Sequence, residues 1–176
     1  MDVVNLADLY SAPAMSWDAV LRRLEQGFPQ APGAGGPDRH SSWLTTINPD
    51  GTPHVSGLGT DFIEGTFWFS TGRASRKGRN LERDPRCALA LAVAEFDVVV
   101  EGTAELVTDA EAVAAYAARA AAGGWPAHVD ESGGAVTAEY SAQSAGPPPW
   151  HVYRIAARSA HAVQTVEPFG ATRWHF

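Results

Sequence analysis

The chain has 176 residues, 45% of them hydrophobic and 19% charged, with a formal net charge of -7. That length suits one domain with a substantial core and argues against two large ones. The acidic balance argues against a general nucleic-acid surface, which needs net positive faces.

The opening stretch MDVVNLADLY has neither the basic start nor the apolar core of a signal peptide. No run reaches about 18 apolar residues, so a cytoplasmic protein with no membrane partner is expected. Residues 16–27 form the first helix. Ser16 is placed to cap it, Trp17, Val20, Leu21 and Leu24 recur on one face, and Gly27 ends it. PQAPGAGGPDRH then reads as a loop. From Ser41 the pattern is that of strands: SSWLTTI, a turn at Asn48–Gly51, TPHVSGLGTDFI, a tight turn at Glu64-Gly65, and TFWFS. A short helix over Ser75–Arg83 follows, with Pro85 at its exit. RCALALAV and FDVVVEGTAELV read as two more strands, and Gly102 marks a bulge or bend in the second.

Thr108-Asp109-Ala110-Glu111 is a capping box that opens an alanine-rich helix to Ala122, ended by Gly123-Gly124. Residues 123–149 are rich in Gly and Ser and contain GPPP and room for one short helix. WHVYRIAA and SAHAVQTV read as separate strands, and ATRWHF as a short closing one. There is no internal repeat. Many short strands interrupted by few helices imply a closed or nearly closed antiparallel barrel, mainly β with minor α.

Cys87, the only cysteine, sits in an apolar run and reads as a small buried hydrophobe, excluding an intrachain disulfide and a cysteine metal cage. The six histidines, His40, His54, His128, His151, His161 and His175, show no metal-ligand spacing. No Ser-His-Asp arrangement can be assigned from residue order. The aromatic residues Trp43, Phe67, Trp68 and Phe69 read mainly as core, and Trp150 and Trp174 as candidates for a subunit interface.

One short stretch runs against the usual electrostatics. Ser75 has the character of an N-cap, and Arg76 and Lys77 then occupy the first turn, where the helix dipole favours anions. A phosphate at that point would meet free backbone N–H groups, the Ser75 hydroxyl and two cations. The alternative is a solvated basic face on which Arg76, Lys77, Arg79 and Arg83 pair with Glu82 and Asp84.

Three stretches, WLTTINPDGTPHVSGL, FWFSTGRASRKGRNLERDPRCALAL and FDVVVEGTAELV, together resemble the pyridoxamine 5'-phosphate oxidase-like split-barrel flavoproteins. They also resemble the relatives of that group that use the deazaflavin F420. The ending GATRWHF is similar to endings common in the group. The resemblance implies one split-barrel domain over residues 1–176. Within it, 1–40 supply the N-terminal helix and loop, 41–107 the cofactor-binding strands, 108–149 a helix and loop, and 150–176 the C-terminal strands. It also implies a homodimer with cofactor sites at the interface. Ser75, Arg76 and Lys77 would hold the FMN phosphate. Phe69 and Ser70 match a strand-end pair that lines the flavin, and His54, Val55, Ser56 and Gly57 match the strand that passes the ring.

The chain departs from the oxidase pattern in three places. Asp97 replaces a glutamine, Leu58-Gly59 stand where the oxidases carry a substrate-binding lysine, and Arg173 and His175 keep only the spacing of a C-terminal motif. The implied function is an FMN- or F420-dependent oxidoreductase acting on a small organic substrate other than a vitamin B6 phosphate. Its rivals are a non-enzymatic protein that sequesters a flavin, deazaflavin or haem-like ligand, and an interaction module whose flavin site has decayed.

Overall fold

The computed structural model describes residues 1–28, 42–142 and 145–176. The predicted loop at 29–40, together with Ser41, lies outside them. In chain order the strands are β1 (Asp2–Asn5), β2 (Ser42–Ile47), β3 (Pro53–Leu58), β4 (Asp61–Ile63), β5 (Thr66–Thr71), β6 (Arg86–Ala92), β7 (Phe96–Leu106), β8 (His128–Val129), β9 (Val136–Thr137), β10 (His151–Gln164) and β11 (Ala171–His175). The helices are α1 (Trp17–Glu25), α2 (Arg76–Arg83) and α3 (Ala110–Ala122), with a 3-10 turn at Asp8–Tyr10.

All ladders are antiparallel. The main sheet runs β1-β11-β10-β7-β6-β2-β3, and β5 joins it through β10 while pairing with β4 on its other side. β3 and β4 follow one another through Gly59-Thr60 but share no ladder, so the barrel is open at that seam. The fold is a split β-barrel with peripheral helices. β10 is the strand that organises it, because one half pairs with β5 and β7 and the other with β7 and β11.

Several expectations are corrected. The two strands expected at 150–166 are one strand, and its register against β7 shifts between Ala157 and Ser159. The irregularity expected at Gly102 is present there, with the extra residue, Arg158, on β10 opposite the Gly102–Glu101 step. A Cβ on Gly102 would sit 2.1 Å from the Ala156 carbonyl oxygen, so glycine is what permits the close approach of the two backbones there. The stretch 52–63 is two strands, and β1, not anticipated, pairs with β11. Among the described residues 123–149 form the small β8–β9 ladder and no helix. Ser16 precedes α1 with extended backbone but makes no side-chain cap bond. The cap of α3 is Asp109, whose Oδ1 accepts from Ala112 N at 2.8 Å.

Two apolar clusters result. Inside the barrel Leu44, Phe67, Phe69, Leu89, Val98, Ile155 and Trp174 pack together, plugged by Val20 and Leu24 of α1. Outside the β5–β10 wall Trp68, Val152 and Trp150 pack beneath Val113, Tyr116 and Ala120 of α3. β5 is therefore buried on both faces. Trp150 and Trp174 are both core residues, so neither offers the interface surface expected of it.

Candidate functional site

α2 begins where β5 ends. Ser75 holds an extended backbone, and its Oγ accepts from Gly78 N at 3.0 Å, which satisfies one of the free donors of the first turn. Thr71 Oγ1 lies 3.0 Å from the same Oγ. Gly78 lets the preceding loop fold back closely, since a Cβ there would be 2.4 Å from the Gly72 carbonyl oxygen.

Lys77 is only 2% exposed, and burial pushes its ammonium pKa below the ordinary value. His54 on β3 is also pushed down, first by burial and then by the charges of Arg76 and Lys77. These three residues thus share one neighbourhood. Thr46 Oγ1 lies 3.5 Å from His54 Nδ1 and accepts from Asn80 Nδ2 at 3.1 Å. Asn80 Nδ2 also reaches Asn48 Oδ1 at 3.2 Å, so α2 is tied to the β2–β3 hairpin. Beside it lies a recess of about 500 Å³ lined by Asn48, Asp50, Arg76, Arg79, Asn80 and Arg83. Arg79 donates to the Ala74 carbonyl and Arg83 to that of Ile47, whereas the exposed Arg76 has neither anchor.

β3 leads away from this cluster. His54, Ser56 and Leu58 alternate with Pro53, Val55 and Gly57, and His54 to Leu58 spans about 13 Å at strand rise. Ser56 Oγ is shielded from solvent and has no hydrogen-bond partner among the described residues. A Cβ on Gly57 would meet the Trp43 ring at 3.5 Å, ordinary contact, so nothing among the described residues demands glycine there.

Beyond Leu58, at the open seam, is a cavity of about 580 Å³. Leu58, Gly59, Thr60, Asp61 and Phe62 form one side, and Tyr116, Arg119, Trp125 and Tyr140 contribute the other. Tyr116 OH donates to Ser70 Oγ at 3.2 Å, and burial drives the Tyr116 pKa far upward. Asp61 is raised by burial, partly offset by Arg119 at 3.7 Å.

The nine residues singled out from the sequence are therefore distributed. His54, Ser75, Arg76 and Lys77 meet at one end of β3. Val55 and Gly57 lie on the outer sheet face, and Ser56 on the opposite one. Ser70 lines the cavity. The Phe69 ring is fully buried and stacked on Tyr153 at 5.4 Å, so only its backbone is available to a ligand. Asp97 is exposed at the start of β7, opposite Ala92 and Val163. Sequence reasoning missed Thr46 and Asn80. Asn80 stands three residues after Lys77, hence on the same helical face, which was a readable signal. The cavity residues gave none, because docking of α3 brings them together. Among the described residues no group of His, Cys, Asp or Glu could hold a metal ion, and no helix is long and apolar enough to cross a membrane.

A split barrel whose strand-to-helix junction gathers Ser75, Arg76 and Lys77 places the chain among the flavoprotein-type split barrels. Residues 36–164 match the family described as pyridoxamine 5'-phosphate oxidase, and the chain belongs to that family. It is 34% identical over 139 residues to a pyridoxine/pyridoxamine 5'-phosphate oxidase of Alkalilimnicola ehrlichii, covering 68% of this chain and 70% of that one. It is 30% identical over 174 residues to the enzyme of the same name from Bordetella petrii, covering 88% and 83%. Against several other relatives of that name the match spans only 55% to 60% of their length. Among solved structures it resembles a conserved hypothetical protein from Mycobacterium tuberculosis at TM-score 0.57 and 25% identity, covering 86% of each chain.

Proposed function

We propose that the chain is an oxidoreductase that binds FMN, as a homodimer of single-domain split barrels, and acts on a small organic substrate. The observation that supports this most is the buried Lys77 at the start of α2, beside Arg76 and His54. The helix N-terminus favours an anion there, and the exposed Arg76, which lines the recess, offers it a cation. A terminal phosphate monoester fits that point, and the intact Ser75-Arg76-Lys77 favours FMN over F420, the alternative cofactor. The unpartnered Ser56 Oγ offers a hydrogen bond along the strand between this anchor and the cavity.

FMN, when bound, supplies the redox chemistry, accepting or donating a hydride. The chain's own residues anchor and orient. Arg76 and Lys77 hold the phosphate, Ser75 keeps the helix start fixed through Gly78, and β3 provides the rail that aims the rest of the cofactor toward the seam. Leu58 and Gly59, standing where the oxidases carry a phosphate-binding lysine, line a cavity with several aromatic side chains instead. That argues for a substrate other than a B6 phosphate.

Dimerisation is supported by the outer sheet face. Trp43 is 53% exposed and Val55 56%, on neighbouring strands, and the ladder places Ala90 and Val99 in line with Trp43. A contiguous apolar surface of this kind marks an association site. Native mass spectrometry of the chain with FMN or F420 added tests the reading. It predicts a dimer carrying one FMN per chain, and steady turnover with a reductant and an acceptor distinguishes an enzyme from a carrier. A monomer that takes up neither cofactor contradicts it.

A further inference from the structure

We propose that the cavity between α3 and the β3–β4 seam binds a neutral, planar aromatic carbonyl compound, held by its aromatic walls and by the Trp125 indole N–H and Tyr140 hydroxyl. As the pocket of the organic substrate, this rests on the reading of β3 as the cofactor strand; as a binding site it stands on the cavity alone.

Four observations carry it. At about 580 Å³ the cavity has the size of a small-ligand pocket. Phe28, Leu58, Trp125, Tyr140 and Trp150 make its walls apolar and flat, suited to a ring system. Its charges cancel: the Asp61 carboxylate and the Arg119 guanidinium stand 3.7 Å apart on the wall. A charged ligand would have to be desolvated with no uncompensated partner to meet it, so a neutral one is favoured. Last, Trp125 Nε1 and Tyr140 OH are shielded from solvent and have no hydrogen-bond partner among the described residues. An indole N–H is only a donor, so what satisfies it must be an acceptor. Gly59 stands against this edge of the indole, since a Cβ there would come within 3.4 Å of Trp125 Nε1. By contrast, Tyr116 and Ser70 already satisfy each other and set the floor.

The test is calorimetric titration of the full chain, with no cofactor added, using 1-tetralone and its hydrocarbon counterpart tetralin. The ketone is expected to bind about tenfold more tightly than the hydrocarbon. Trp125→Phe and Tyr140→Phe, which keep the walls, should each reduce that preference about three- to tenfold, the range of one neutral hydrogen bond. Two variants guard against one that fails to fold, and melting curves report on each. No binding of either compound, equal binding of both, or a preference unchanged in both folded variants overturns the proposal. FMN titration of the same samples separates the two readings. Wild-type protein that keeps the ketone preference but binds no FMN refutes the cofactor site and upholds the pocket.

Discussion

Asn80 Nδ2 on α2 donates to Thr46 Oγ1 on β2 at 3.1 Å, joining the helix that Ser75 caps to the hairpin that carries His54. Both residues are buried, so removing the amide leaves the hydroxyl only its 3.5 Å contact with His54 Nδ1 and no solvent to replace the lost bond. Asn80→Ala should cost about 1–3 kcal/mol of stability and weaken FMN binding, because Lys77 and His54 lose their common frame. Urea denaturation with and without FMN measures both. An unchanged midpoint would mean that the link does not hold the site.

Cys87 faces the barrel interior on β6, and burial pushes its thiol up to about 12. Only the thiolate reacts readily, so at pH 8 a disulfide reagent should label the native protein no faster than it unfolds. Rapid labelling of folded protein would place Cys87 near the surface.

The carboxyl of Asp61 is raised by burial, with Arg119 opposing. A folded-state pKa above the unfolded one means that stability is greatest at low pH and declines as pH rises through the window between the two values. Asp61→Asn removes that penalty. The variant should melt higher than wild type at neutral pH, and the difference should vanish as pH falls through the ordinary carboxylate range. A variant less stable at neutral pH would show that the Arg119 contact dominates.

Which parts of this were legible in the sequence follows from how local each signal is. The Ser75 cap and the turns at 48–51 and 64–65 are encoded within a few residues, and the structure has them in place. Trp43 was not legible, because SWLTTI buries Ser42, Leu44 and Thr46 and exposes Trp43. The pattern inverts because Ser42 Oγ bonds Thr60 Oγ1 at 2.7 Å and Thr46 bonds Asn80, so small polar residues are satisfied inside. β1, the unbroken β10 and the cavity under α3 all depend on pairings across the chain, which no short window contains. Burial of Lys77 likewise depends on how α2 docks on the sheet, which its own turn does not encode.

The exposed Trp43 gives the interface its test. Trp43→Asp puts a charge on the apolar outer face without disturbing the core, and sedimentation should show the dimer shifted toward monomer, with FMN affinity reduced alongside. A variant that remains dimeric would move the interface to another face.

The central claim is that Arg76 and Lys77 hold the cofactor phosphate. Lys77→Met keeps the buried stem and removes the charge, and Arg76→Ala trims an exposed side chain, so both variants should fold. The decisive measurement is the affinity of wild type and both variants for FMN and for riboflavin, which lacks the phosphate. Each charge-assisted hydrogen bond contributes about 1.5–3 kcal/mol, so each substitution should weaken FMN binding about ten- to hundredfold and leave riboflavin binding unchanged. FMN affinity that stays at the wild-type value, or that falls in step with riboflavin, would contradict the account.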